Sequence, residues 1–129
     1  MNDIVGWLRR GLSAVWLAML LALALAGCST ASDGPAAAST GVCRAAAVLP
    51  DVAMAQRIFI NEAHDPLHAL AANARLPRDD AARVLTTMAV VEHDFDVKVV
   101  AGQLEADLIA LRVAADAALQ AIGERPPDC

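Results

Sequence analysis

The chain has 129 residues, 57% of them hydrophobic and 19% charged, with a formal charge of −5. That length allows one domain at most, and the apolar content excludes an intrinsically disordered chain. Aromatic residues make up only 3% and Tyr is absent. Base-stacking platforms are therefore scarce and the net charge repels phosphate, so no nucleic-acid partner is expected.

Residues 1–27 carry the three zones of an export signal. Arg9 and Arg10 form the positive zone, and the run from Gly11 to Gly27 is uncharged and apolar. Small residues precede Cys28. An uncleaved signal anchor or ordinary secretion without lipid would also begin this way, and the apolar run is at the short limit of a membrane span. The tetrad Leu25-Ala26-Gly27-Cys28 resembles the lipobox of bacterial prolipoproteins. That resemblance covers the first 28 residues only. It implies a diacylglyceryl group on the Cys28 thiol, cleavage before Cys28, and a mature chain held at the bacterial cell membrane or outer membrane by its acyl chains. Ser29, following the acylated position, implies the outer membrane in a Gram-negative cell. The mature domain itself resembles no recognised family.

Cleavage before Cys28 leaves 102 of the 129 residues, with 14 acidic and 8 basic side chains and a charge of −6. Such a chain has no basic patch to hold it on an anionic bilayer, so the membrane contact is expected to be the acyl chains. Residues 28–41 are small and polar, without apolar periodicity. They read as a lipid-anchored flexible linker with a reach of roughly 20 Å. Three cysteines become an even pair once Cys28 carries lipid, and Cys43 and Cys129 are expected to join in the oxidising envelope.

Residues 42–129 read as an all-α domain, a small antiparallel bundle of three to four helices. The first helix follows Leu49-Pro50-Asp51 and carries the stripe Val52, Ala55, Phe59, Ala63, Leu67, Leu70 and Ala74 at spacings of three and four. Pro66 interrupts it, either kinking the helix or ending it with Asp65 as the cap of a restart. A disulfide joining the two ends of the domain needs an even number of segments, which favours a true break near His64–Pro66. The next helix begins near Pro77, with Asp79 and Asp80 at the positive end of its dipole and Val84, Met88, Val91 and Phe95 facing the core. The last runs from about Val97 to Ile122 and stops at Gly123. Leu104, Leu108, Leu111, Ala115, Leu119 and Ile122 form its main stripe. Glu105, Arg112 and Asp116 share a polar strip, and Gly102, Ala106, Ala110, Val113, Ala117 and Ala121 make a small-residue face suited to a second neighbour.

Among chemistry-bearing residues, His64 and His68 have the i, i+4 spacing of a metal pair, with His93, Glu92 and Asp94 as completing groups. Two features oppose the metal reading: Pro66 lies between the pair, and His93 falls opposite the core face of its helix. Solvated or capping histidines are the simpler expectation. The carboxylates Asp79, Asp80, Asp94 and Asp96 read as helix-end and solvated charges. Asp94–Lys98 and Asp79–Arg83 have the spacing of small helix pairs. The sequence holds no Gly-rich phosphate loop, nucleophile elbow or zinc-protease motif, so neither catalysis nor a cofactor is expected. Met54, Ile58 and Val90 point away from the core stripes; singly exposed apolar residues are the simpler expectation, and the alternative is a contact face for a membrane protein, another lipoprotein or a second copy. The expected function is a non-enzymatic binding or accessory module of the cell envelope. The alternatives are a metal- or haem-binding lipoprotein using His64 and His68, and an envelope enzyme whose site the sequence does not display.

Overall fold

A computed structural model describes residues 34–129. The signal segment, Cys28 and the expected linker as far as residue 33 lie outside the described residues. The described residues form four antiparallel helices and no strand. Helix α1 spans Ala37–Ala47. Helix α2 occupies 52–71 and consists of Val52–Ile58, a π-helical turn Phe59–Ala63, and His64–Ala71. Helix α3 is Arg78–Val97 and α4 is Ala101–Ala121. None of these is long and apolar enough to cross a membrane.

Helix α1 begins inside the stretch read as a linker. Residues 37–41 are helical, and Ala38, Ser39, Gly41, Val42 and Ala45 are buried in it. Small side chains let α1 lie close against its neighbours. At Gly41 an added Cβ would stand 2.6 Å from the Glu62 carbonyl carbon and 2.8 Å from Ala63 Cα, so the backbones of α1 and α2 meet at a point only glycine can occupy. The buried Ser39 hydroxyl donates to Asp116 Oδ1 on α4 at 2.5 Å. Arg112 and Asp116 pair at 3.5 Å beside it, so the polar strip of α4 faces α1, apart from the exposed Glu105.

Asp51 caps α2, its Oδ1 accepting from the Met54 N–H at 3.0 Å. The expected break at Pro66 does not occur. Three successive steps of four residues separate Ala55, Phe59, Ala63 and Leu67, all buried. On a regular α-helix these steps would turn Leu67 about 120° away from Ala55. The π turn, with His64 N–H bonded to the Phe59 carbonyl, inserts one residue and returns the stripe to a single face. The helix resumes at His64, which leaves Pro66 in a first turn where its missing N–H costs little. Asp65 is consequently a helical residue, not a cap. Ala74 lies beyond the end of α2 and is exposed. The extra segment demanded by the disulfide is α1, ahead of α2, and not a product of Pro66.

Helix α3 buries Val84, Met88, Val91 and Phe95 as expected, and carries Asp79 and Asp80 in its first turn. It stops at Val97 because Lys98 takes a left-handed conformation (φ 56°), so α4 starts at Ala101 and not near Val97. The whole expected stripe of α4 is buried, whereas Gly102, Ala106, Ala110, Val113 and Ala121 are exposed. Ala117 is half-buried, and the rest of the small-residue face lacks the second neighbour expected for it among the described residues. Gly123, at φ +80°, ends α4 in a Schellman motif: its N–H bonds the Gln120 carbonyl and that of Glu124 the Leu119 carbonyl. The tail beyond it reaches back to α1, where Cys129 is bonded to Cys43 with Cα atoms 5.9 Å apart, inside the usual disulfide range.

Candidate functional site

The helix that resumes after the π turn places His64 and His68 one turn apart on an uninterrupted stretch, so Pro66 does not spoil their spacing. Their rings meet edge to face with centroids 4.7 Å apart. Across the α2–α3 contact, Glu92 brings Oε1 to 3.3 Å from His64 Nε2. The other ring nitrogen, His64 Nδ1, lies 2.9 Å from Asp65 Oδ1. One potential ligand atom from each of His64, His68 and Glu92 falls within 4.8 Å of the others. His64 is half-buried, with 38% of its side chain exposed, and Glu92 is similar, while His68 is exposed.

Two of these residues also line a cleft of about 330 Å³, shared with Gln56, Phe59, Ile60, Phe95 and Asp96. Its floor is aromatic: Phe59 and Phe95 pack with ring centroids 5.5 Å apart, one at the start of the π turn and the other on the core face of α3. The backbone feature that restores the core stripe thus also sets the histidines beside this cleft. An imidazole pair with one carboxylate suits a late first-row transition ion, and leaves further coordination positions open.

His93, the completing histidine considered from sequence, is exposed on the far side of α3; Glu92, one residue earlier, faces α2 instead. Asp94 is not a solvated charge. It is 6% exposed, with Oδ2 unpartnered, and faces Asp107 on α4. Burial, and then the neighbouring Asp107 carboxylate, raise its pKa above the ordinary aspartate value. Asp107 is displaced the other way, held down by the Gln103 amide that donates to it at 2.8 Å and by Asp94. The spacings Asp94–Lys98 and Asp79–Arg83 form no ion pair among the described residues. Lys98 has left the helix, and the recorded pairs include Arg44–Glu62 at 2.6 Å, which ties α1 to the π turn.

Of the residues assigned to a contact face, Met54 and Val90 are exposed, but Ile58 is half-buried and packs on the core. Val100, Val113 and Ile109 are more exposed than either. Val113 belongs to the face that the sequence offers to a neighbour, and Val100 and Ile109 fall outside every stripe that periodicity picks out. No family model, no curated protein and no solved structure matches this chain.

Proposed function

We infer that this chain is a bacterial cell-envelope lipoprotein: a disulfide-closed helical module, tethered by acyl chains on Cys28, that binds or assists a partner rather than turning over a substrate. The observation that carries this reading is the pairing of Cys43 with Cys129. It accounts for two of the three cysteines in the sequence, and the third is the one that ends the Leu25-Ala26-Gly27-Cys28 tetrad. A disulfide suits an exported domain and is rare in a reducing cytosol. Two or three acyl chains, at about 0.8 kcal/mol per buried methylene, anchor a small domain stably.

The start of α1 at Ala37 shortens the tether. Eight residues, 29–36, separate Cys28 from the first helix, and covalent geometry limits their span to at most about 30 Å. The domain then works close to the bilayer. A contact made there with an integral membrane protein or a neighbouring lipoprotein requires no long search, because tethering raises effective concentration. The test is cell fractionation of the full chain and a Cys28→Ala variant. The wild type is expected in the membrane fraction, released by detergent and not by high salt. The variant is expected uncleaved, without fatty acid. Equal partition and equal processing of the two would overturn the assignment.

A further inference from the structure

We propose that His64, His68 and Glu92 form a binding site for a single late first-row divalent ion, of the Cu²⁺, Zn²⁺, Ni²⁺ or Co²⁺ class. The proposal does not depend on lipid anchoring.

The argument starts from His64, both of whose ring nitrogens face carboxylate oxygens, Asp65 Oδ1 at 2.9 Å and Glu92 Oε1 at 3.3 Å. A neutral imidazole has one donor and one acceptor nitrogen. If Nδ1–H donates to Asp65, the Nε2 lone pair is directed toward an anionic oxygen, which is repulsive unless a cation lies between them. A metal ion removes the conflict. The Asp65 contact then does what carboxylates do beside metal-bound histidines, fixing the tautomer and leaving Nε2 free to ligate.

The distances suit such an ion. With bonds of about 2.0–2.1 Å, tetrahedral ligand atoms lie roughly 3.3 Å apart, the separation observed between His64 Nε2 and Glu92 Oε1. The His68 ligand atom lies within 4.8 Å of the other two, so it has at most roughly 1.5 Å to move to reach the tetrahedral spacing, and His68 is exposed. The ligand set also argues for the class of ion. Calcium and magnesium call for oxygen ligands, whereas two imidazoles select the nitrogen-loving transition ions. The surroundings are acidic: Asp65 and Asp96 stand beside the ligands, and the whole chain is net negative. Three protein ligands leave at least one position for water or a small exogenous donor, and the cleft floored by Phe59 and Phe95 adjoins two of the three.

The competing arrangement is a protonated His64 bridging Asp65 and Glu92 with no ion. Calorimetric titration of the untagged full chain in detergent with Zn²⁺ separates the two, supported by visible spectroscopy of the Co²⁺ form. The expected result is saturable binding at one ion per chain. His68→Ala and Glu92→Gln should each weaken it at least tenfold, the His64→Ala/His68→Ala double variant should abolish it, and His93→Ala should leave it unchanged. His68 is solvent-exposed, so its replacement tests ligation without threatening the fold. Absence of saturable binding would overturn the proposal, as would retention of full affinity in the double variant or an equal loss in His93→Ala.

Discussion

Gly41 and Gly102 both lie within helices, yet a methyl group has opposite consequences at the two positions. At Gly41 the added Cβ would press into the backbone of the π turn at Glu62 and Ala63, whereas at Gly102 it meets nothing within 4 Å. Gly41→Ala should therefore destabilise by about 1–3 kcal/mol, the cost of overpacking, despite the gain in helix propensity. Gly102→Ala should stabilise by up to about 1 kcal/mol. Denaturant unfolding of the two variants checks both signs. Asp94 supplies a pH-dependent counterpart. Its pKa is raised in the folded state by burial and by Asp107. Its stabilising contribution is thus present below the ordinary aspartate value of 3.8 and lost as pH rises through the raised value. Asp107, held low, has the opposite sign: its contribution is present above the ordinary range and is lost on acidification. Asp94→Asn removes the first effect together with the share of the second that Asp94 supplies. It should raise the Tm at neutral pH, with the advantage over wild type shrinking as pH falls toward the ordinary aspartate value of 3.8.

At the scale of single elements, Lys98 ends α3 at φ 56°, a conformation that strains any residue with a Cβ. Lys98→Gly should stabilise the bundle by about 0.5–1 kcal/mol by thermal melting; a loss of stability would show that the Lys98 side chain contributes more than its backbone costs. Helices α3 and α4 were legible in the sequence because Val84, Met88, Val91 and Phe95, and then Leu104, Leu108 and Leu111, are large residues at regular helical spacing. Helix α1 was not, because Ala38, Gly41, Val42 and Ala45 follow the same spacing with side chains too small to stand out from a linker, and Ser39 and Thr40 reinforced that reading. The π turn had a signal that period counting can detect: three consecutive four-residue steps outrun the α-helical repeat. A break at Pro66 would also have separated the two histidines of the site. His64 and His68 share a face only because the helix continues, and Glu92 becomes their neighbour only through the packing of α2 on α3, which no local pattern contains.

For the molecule as a whole, the link from Cys43 to Cys129 closes nearly the entire folded region, its ends 86 residues apart in sequence. In the chain-entropy account a loop of this size stabilises the native state by about 4–5 kcal/mol, a large share of the total for a small domain. Unfolding the chain in urea with and without reductant should show a loss of that order, with little change in helical content before the transition. A reduced chain as stable as the oxidised one would mean that α1 and the tail are held by packing alone. The same bond supports the cell-envelope reading, since it leaves Cys28 with no cysteine partner in the chain. The most direct measurement of that reading is the intact mass of the protein isolated from its native cells. The account predicts a polypeptide beginning at Cys28, heavier by its fatty acyl groups and lighter by the two hydrogens lost in forming the Cys43–Cys129 bond. A chain still carrying residues 1–27, or one beginning elsewhere with no acyl mass, would contradict it.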